Sequence, residues 1–473
     1  MKLLRSIICS AAVFLTAPIF AEYNSMGVPD SSQIRKEIAG TWLYPSIKSV
    51  RARNAEVRTN SIGQKFQVWS EESKSSFSVI IAPENSLSFG SEEGIKTISD
   101  FVADSCGSWM LERNSMTGKP IRIRWYFVQD GDVYVQFSPD PYGGKKTLAD
   151  YVIGGCYAAR NVPVGIPFER LYTASFAEIL SLTERTLPWQ YSEIHTGQYQ
   201  NKIMMMKQIR KNLERISREN NASYDEDGKP VHTNDGSERE TDVLPMAQND
   251  DEKTDEIPEK PPLTLDSNGF AKWIVDGLIY PLTGSGTLIK PLLRETVSVN
   301  PLGYAGVRGQ EEDFTFSLDW TRNLAAARLS VQTKKRYLYE KSGVDVKIQP
   351  FSSEITSSGI ANLSGYLKDS GYSSKYLQQV LYVLGVTEPT YFYLAAVRKS
   401  IRPGKNPAKG KSAEIFSFND SAVIFPYFDE SGHFACTVFF EGRELSLGAF
   451  LAECGECYVH LTRVLSSDRF ALR

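Results

Sequence analysis

An acidic stretch from residue 221 to residue 262 constrains the organisation of this chain more than any other feature. It holds thirteen acidic and four basic residues, several prolines and only scattered aliphatic side chains. Such a segment cannot bury enough apolar surface to offset the entropy lost on ordering, and its like charges repel one another. The sequence therefore predicts a disordered acidic linker over 221–262, joining two folded regions.

The first 21 residues have the pattern of a secretory signal peptide. Lys2 and Arg5 precede an apolar run, and Ile19-Phe20-Ala21 is a small-residue cleavage site before Glu22. The run is shorter than the ~20 residues that a membrane span needs, so cleavage is favoured over an uncleaved anchor helix. We therefore expect a mature chain with no transmembrane segment and an extracytoplasmic location, either periplasmic or secreted.

Charge and cysteine content exclude several classes of protein. The chain has 53 basic and 56 acidic residues, which argues against a generally basic nucleic-acid-binding protein, and four histidines leave little room for a His-rich metal site. We expect no cofactor and no metal. Five cysteines follow the signal, so at least one is free or pairs with another chain.

Two pairs of cysteines offer alternatives. Cys106 and Cys156 could form a bridge in an oxidising compartment. Cys454 and Cys457 form a C-x-x-C, but neither a thioredoxin-like context nor a second ligand pair accompanies them. A local disulfide or two buried thiols is therefore favoured over a redox or zinc site.

Short strands dominate the first folded region, 22–170. Five segments combine alternating polarity with β-branched or aromatic residues, and they are 55–59, 65–69, 76–81, 121–127 and 133–137. Asp130-Gly131, between the last two, is a strong hairpin signal. The pattern predicts an antiparallel β-rich barrel or sandwich.

A helical extension, 171–220, follows the β-rich region. Ser175 and Glu178 have the spacing of a capping box. A second helix is predicted over 201–219, rich in Lys and Arg and containing Met204-Met-Met206. This helix either touches a membrane or a partner, or packs its methionines on the neighbouring domain and leaves its charges in solvent.

The last region, 263–473, contains the one informative motif. Asp266 or Ser267 is suited to cap a helix, and Phe270, Ile274 and Leu278 then recur at helical spacing. Ser267 would therefore stand at a helix N-terminus. Free backbone N–H groups and the helix dipole favour developing negative charge there.

This stretch resembles the Asp-Cys-Ser-Gly-Phe signature that begins the catalytic helix of NlpC/P60 cell-wall peptidases. Asp266, Gly269 and Phe270 match, and Ser267 stands in the place of the nucleophilic cysteine. The resemblance implies a papain-like α+β domain over 263–473. It also implies a histidine at the start of a following strand, for which His433 is the candidate, and a third group that orients the imidazole, for which His460 is the candidate.

Two departures from the family pattern bear on activity. A serine hydroxyl ionises far less readily than a thiol, and a helix dipole worth about 1 kcal/mol cannot ionise it without a well-placed base. The segment between Ser267 and His433 is also longer than in a minimal family member. The alternative is that Ser267 only begins a helix, and that His433 only bonds a neighbouring carbonyl at a strand end.

The sequence thus favours a secreted α+β envelope protein whose C-terminal domain is a catalytically impaired NlpC/P60 relative. It would bind peptide or cell-wall material, such as peptidoglycan, in the former catalytic cleft. If the domain is active, Ser267 attacks an amide or ester, His433 acts as base, and helix N–H groups form the oxyanion hole. The third hypothesis is a non-enzymatic interaction or scaffold protein without a papain-like cleft. Proximity of Ser267 to His433 distinguishes these hypotheses.

Overall fold

The computed structural model describes residues 30–91, 94–101, 108–127, 130–143, 146–240, 262–297, 314–352, 354–356, 359–361, 365–401 and 415–473. Over these residues the fold is mixed α+β. An eight-stranded antiparallel sheet forms in the N-terminal half, and a separate six-stranded sheet with helices forms in the C-terminal half. The predicted signal peptide, 1–21, and Cys106 lie outside the described residues.

The described residues up to 164 form ten strands. In chain order they are β1 (Glu56–Thr59), β2 (Lys65–Glu72), β3 (Ser76–Pro83), β4 (Asn85–Ser91), β5 (Gly94–Asp100), β6 (Trp109–Asn114), β7 (Pro120–Phe127), β8 (Asp130–Pro139), β9 (Thr147–Ile153) and β10 (Cys156–Val164). The large sheet has the order β1-β2-β3-β6-β7-β8-β9-β10, and β4 and β5 form a separate hairpin. The five predicted strands and the β7–β8 pairing are therefore confirmed.

Helical segments cover the buried face of this sheet. They are α1 (Ser32–Ile38), a π-helical turn (Ala39–Leu43), α2 (Ile47–Arg51), a 3₁₀ turn (Phe168–Tyr172), α3 (Phe176–Thr183) and a 3₁₀ turn (Trp189–Ser192). Residues of all six pack with the inward side chains of the sheet in one core. Among the described strands no ladder joins β1 to β10, and helices rather than a second sheet cover the core. Alternation along a strand shows that one face is buried, but it does not specify what buries it.

The Ser175 capping box is confirmed, because the Ser175 hydroxyl accepts a hydrogen bond from the Glu178 backbone N–H at 3.1 Å. The second predicted helix is shorter than expected. A 3₁₀ turn (Thr196–Tyr199) leads into α4 (Gln200–Arg210), a further 3₁₀ turn (Leu213–Arg215) follows, and the chain then extends as β11 (Ile216–Arg218). Met205 and Met206 are buried in the core of the C-terminal half. Of the two alternatives for this helix, packing of its methionines on the neighbouring region is therefore confirmed for this face of α4.

The acidic stretch does not separate the two halves as a linker would. Strand β11 lies before it and β14 (Leu263–Leu265) lies after it, and the two pair in parallel. Residues 221–240 are ordered and include β12 (Ser223–Tyr224) paired with β13 (Pro230–Val231), while 241–261 lie outside the described residues. The predicted boundary at 221 is therefore corrected. The carboxylates of Asp225 and Asp235 accept hydrogen bonds from backbone N–H groups in turns. Counting the charges of the segment does not reveal this structural role of acidic residues.

The C-terminal sheet has the order β17-β22-β18-β19-β20-β21. Its strands are β17 (Tyr372–Ser373), β18 (Tyr391–Ile401), β19 (Ile415–Phe428), β20 (Phe434–Phe440), β21 (Arg443–Ser446) and β22 (Tyr458–Leu465), and a small hairpin pairs β15 (Glu354–Thr356) with β16 (Gly359–Ala361). The helices are α5 (Ser267–Thr283), α6 (Ile289–Leu292), α7 (Phe316–Thr333), α8 (Tyr339–Ser342), α9 (Leu377–Thr387) and α10 (Leu447–Cys454), with a 3₁₀ turn at Ser374–Tyr376. Helices α5 and α7 pack on one face of the sheet, and α9 and α10 pack on the other.

The two halves are in direct contact. Tyr382 and Val383 of α9 and Phe428 of β19 belong to the same core as the N-terminal sheet. The Tyr382 hydroxyl donates to the Tyr191 carbonyl at 3.0 Å, and the Tyr199 hydroxyl donates to the Gly385 carbonyl at 3.1 Å. Within the described ranges, no helix is both long and apolar enough to cross a membrane.

Candidate functional site

Asp266 fixes the start of α5. Its carboxylate accepts the Gly269 backbone N–H at 2.6 Å and the Ala222 backbone N–H at 3.2 Å, so it caps the helix and joins it to the segment before β12. Burial raises the pKa of Asp266, and these backbone hydrogen bonds offset part of the effect. A side chain at Gly269 would overlap the Ala222 carbonyl oxygen. Asp266 and Gly269, two of the residues shared with the family signature, thus have structural roles in this chain.

Ser267 is the first residue of α5, as predicted, and it is buried. Its hydroxyl lies 3.5 Å from an Asp420 carboxylate oxygen and accepts the Ser421 backbone N–H at 3.3 Å. The Ser421 hydroxyl donates to the Ser267 carbonyl at 2.9 Å. The start of α5 is therefore held against β19 by three polar contacts, and the position facing the hydroxyl is an aspartate.

His433 is far from Ser267. It lies in the turn between β19 and β20, where its backbone N–H donates to the Asp429 carboxylate at 2.9 Å, and its side chain is 47% exposed. Ser267 contacts β19 at Asp420, eight residues before Phe428 at the end of that strand. At about 3.3 Å per residue this separates the two sites by about 26 Å. The structure does not bring the predicted nucleophile and base together.

His460 is closer to Ser267 than His433 is, but its side chain contacts a different group of buried charged residues. Ala396 of β18 pairs with Ser421 on one side and with His460 on the other, which places His460 about 10 Å from Ser421. The His460 side chain is fully buried, and its Nε2 lies 3.2 Å from the Arg322 guanidinium. Nε2 also lies 3.5 Å from an Asp345 carboxylate oxygen, so charged groups of both signs surround the ring.

An ion pair accounts for the environment of His460. Arg322 and Asp345 are both buried, with a guanidinium–carboxylate distance of 3.0 Å, and the Tyr339 hydroxyl donates to Asp345 at 2.8 Å. Burial would raise the pKa of Asp345, but contacts with His460, Arg322 and Tyr339 hold it well below its ordinary value. Burial lowers the pKa of His460, and its contact with Asp345 offsets only part of this. His460 therefore belongs to a structural network and does not orient His433.

The polar surroundings of Ser267 contain no strong base among the described residues. Asp420 forms an ion pair with Lys399 at 3.3 Å, and Asn268 donates to the Asn419 carbonyl at 3.3 Å. No histidine stands between Asp420 and the Ser267 hydroxyl in the described residues to act as the base that a serine nucleophile needs. The arrangement can hold Ser267 in place, but it does not activate the hydroxyl as a nucleophile.

A cavity of about 330 Å³ lies beside α5 on the face opposite Ser267. Ser267 lies on the same face of α5 as Ile274 and Leu278, which pack in the core with the sheet. At about 100° per residue, the residues of α5 that line the cavity lie about 140–280° around the helix axis from Ser267. Those lining residues are Gly269, Lys272, Trp273, Asp276, Gly277 and Tyr280. The cavity is thus separate from the cleft that the family resemblance implies.

The cavity combines aromatic walls with charged groups. Tyr224 lines it together with the α5 aromatics, and so do the acidic residues Asp225, Glu226 and Asp227. Arg215 and Arg473 add positive charge to the lining, and the Arg473 guanidinium lies 3.1 Å from the centre of the Tyr280 ring. Lys272 is buried and pairs with Asp276 at 2.5 Å. The Ser223 hydroxyl also lines the cavity, and it is buried without a hydrogen-bond partner among the described residues.

No group of three or more His, Cys, Asp or Glu side chains that could hold a metal is present in the described ranges. Cys156, Cys436, Cys454 and Cys457 form no disulfide among the described residues, and both cysteines of the C-x-x-C are buried. Burial raises the pKa of Cys436 to about 12.

Sequence reasoning missed several charged groups that the fold buries, among them Lys202 of α4 and both Arg322 and Arg328 of α7. No motif surrounds these residues in the sequence. The apolar periodicity of their helices predicts which face is buried, but it does not report which neighbours a charge meets.

Residues 24–191 match the family model described as "Domain of unknown function (DUF8515)". This range covers α1–α3 and the eight-stranded sheet, and it ends before α4 and α5. No curated protein matches the chain. No solved structure matches it either. The site at α5 therefore lies outside the matched range.

Proposed function

We propose that this chain is an exported, non-enzymatic protein whose C-terminal half binds short peptides in the cavity beside α5. Because His433 does not reach Ser267, the relation of the C-terminal half to the NlpC/P60 peptidases would rest on the residues at the start of α5 alone. The carrying observation is that the Ser267 hydroxyl is buried against Asp420 and Ser421 while His433 lies at the far end of β19. This favours binding over hydrolysis.

The cavity chemistry supports a peptide with an apolar side chain and a free amino group. Trp273 and Tyr224 offer large apolar surfaces that bind side chains at low entropy cost, while the Arg473 guanidinium covers one face of Tyr280. The lining holds four acidic residues (Asp225, Glu226, Asp227 and Asp276) and three basic ones (Arg215, Lys272 and Arg473), and the excess of negative charge favours an ammonium group. Short wall peptides that carry a diamino acid have this chemistry, and the volume of about 330 Å³ lies in the range of small-ligand sites.

Binding is tested on the full mature chain by calorimetry with short peptides that carry a free side-chain amine and with the same peptides acetylated at that amine. We expect saturable binding of the free amines and weaker binding of the acetylated forms. The double variant Glu226→Gln/Asp227→Asn should lose about two- to fivefold in affinity per charge. The matched control is Glu238→Gln/Glu240→Gln, which removes two exposed charges that do not line the cavity.

Two results would contradict this proposal. One is no saturable binding of any peptide at millimolar concentration. The other is peptide cleavage that disappears in Ser267→Ala, because it would show that the hydroxyl is a working nucleophile.

The proposed ancestry has a separate test. Because an Asp420 carboxylate oxygen lies 3.5 Å from the Ser267 hydroxyl, the variant Ser267→Cys/Asp420→His places an imidazole beside a thiol at a helix N-terminus. We expect alkylation of that thiol by iodoacetamide at pH 6–7 to be at least tenfold faster than in Ser267→Cys alone. Mass spectrometry of the peptide containing residue 267 separates it from the native cysteines. Equal rates in the two variants would reject a papain-like geometry.

A further inference from the structure

Arg328 of α7 is a buried cation that has no partner in the described part of the chain. It is 4% exposed, and neither its Nε nor its Nη1 has a hydrogen-bond partner there. Burial lowers the pKa of Arg328, and no acidic group among the described residues offsets this. An isolated buried charge is costly, so native proteins pair such groups or use them to bind a charged ligand.

The other buried arginines of the described chain all have partners. Arg35 forms an ion pair with Asp30 at 2.6 Å and donates to three backbone carbonyls. Arg322 pairs with Asp345, and Arg113 donates to the Pro45 carbonyl at 2.7 Å. The fold thus satisfies buried guanidinium groups elsewhere, and Arg328 is the exception.

Arg328 lines a cavity of about 210 Å³. Its walls come from α7, residues 342–344, the first residue of β18 and the end of β22, and its apolar members are Ala325, Leu329, Val344, Val464 and Leu465. The second cation of the lining, Arg463, is already neutralised by two contacts with Glu388, at 2.8 Å and 3.1 Å. The lining therefore offers one unpaired positive charge in mainly apolar surroundings.

We propose that this cavity binds a small organic monocarboxylate, with its carboxylate on Arg328 and its short aliphatic or aromatic body against Leu329, Val344 and Val464. The planar guanidinium matches the two oxygens of a carboxylate. One net positive charge matches a monoanion better than it matches sulfate, a dianion, or phosphate, which is a mixture of monoanion and dianion at neutral pH. The apolar walls further favour an organic acid over a hydrated inorganic ion.

This site is independent of the peptide-binding proposal. None of its lining residues belongs to α5 or to the cavity beside it, so either site can exist without the other.

The test uses the full mature chain and calorimetry with isovalerate and benzoate as probes, together with isovaleramide, benzamide, inorganic phosphate and sulfate. We expect saturable binding of the two carboxylates, no binding of the amides, and binding of phosphate and sulfate at least tenfold weaker. Arg328→Met should weaken carboxylate binding by about 10- to 100-fold, the range expected for a lost charge-assisted contact. Arg336→Met, which removes an exposed arginine beyond the end of the same helix, should leave it unchanged.

A second measurement separates a ligand site from a structural role. Without ligand, Arg328→Met should melt at or above the temperature of the unsubstituted protein, since an unpaired buried charge has been removed. Carboxylate should raise the melting temperature of the unsubstituted protein and of Arg336→Met, but not of Arg328→Met. A lower melting temperature of ligand-free Arg328→Met, equal binding by that variant, or equal binding of the amides would each overturn the proposal.

Discussion

Lys202 provides the sharpest test of how the C-terminal core handles buried charge. Its side chain is fully buried between α4 and β19, its Nζ donates to the Pro426 carbonyl, and the Nζ lies 4.8 Å from the centre of the Tyr199 ring. Burial lowers the pKa of Lys202 from 10.5 to about 7. The charged form is therefore disfavoured in the folded state relative to the unfolded chain.

The sign of the pH dependence follows from proton uptake. Between pH 7 and pH 10.5 the unfolded chain holds a proton on Lys202 that the folded protein has largely released, so stability rises with pH. At 1.36 kcal/mol per pH unit, the cost of burying Lys202 is about 4 kcal/mol at pH 7 and about 1.4 kcal/mol at pH 9.5. Lys202→Met removes this cost. It leaves the Pro426 carbonyl without its donor, which costs about 1–3 kcal/mol at every pH.

We therefore expect the difference in unfolding free energy between Lys202→Met and the unsubstituted protein to fall by about 3 kcal/mol from pH 7 to pH 9.5. Urea unfolding followed by circular dichroism, with reductant present to keep the cysteines as thiols, measures this difference. Lys207→Met, an exposed change on the same helix, is the control and should show no such trend. Parallel stability profiles for Lys202→Met and the unsubstituted protein would refute the reasoning.

Two further predictions concern the site at α5 and the network beneath α7. Gly269→Ala should destabilise the protein by about 2–3 kcal/mol in chemical unfolding, because its new methyl group overlaps the Ala222 carbonyl oxygen. The control is Gly448→Ala in α10, whose methyl group meets open space. This control should be neutral or stabilising by about 0.5–1 kcal/mol. Because burial lowers the pKa of His460, the unfolded chain takes up a proton first, and the melting temperature should fall as pH drops below about 6.5. His460→Gln should reduce the dependence of the melting temperature on pH between pH 7 and pH 5, and the control His433→Gln, at an exposed site, should not. Equal pH dependence in the two variants would contradict the assignment of His460 as a buried neutral imidazole.

Much of the local structure was predictable because short-range periodicity carries it. The strands that became β1, β2, β3, β7 and β8 were predicted from alternation, and the start of α5 at Ser267 was predicted from its cap and apolar spacing. The boundary of the acidic stretch was not predictable from the sequence. Composition indicates how little apolar surface a segment can bury, but it does not indicate which strands the two ends of the segment pair with. The pairing of β11 with β14 across that stretch joins residues 47 positions apart.

The predicted catalytic site was wrong for the same reason, because it depended on a contact between residues that are distant in the chain. Ser267 and His433 each occupy the kind of local position expected of them, at a helix start and just before a strand. Whether they meet depends on where α5 rests along β19, and the structure sets that contact at Asp420 and Ser421. Nothing within a few residues of either group encodes this alignment.

The sequence by itself determined five strands of the N-terminal sheet, the apolar face of α5, and the place of Ser267 at a helix N-terminus, because these properties depend on neighbours within one or two turns. Only the tertiary structure decided that an aspartate faces Ser267, that His460 joins the Arg322–Asp345 pair, and that Arg328 is buried without a partner in the described chain. Those outcomes depend on contacts between residues that are distant in the chain, and such contacts are set by how whole elements pack.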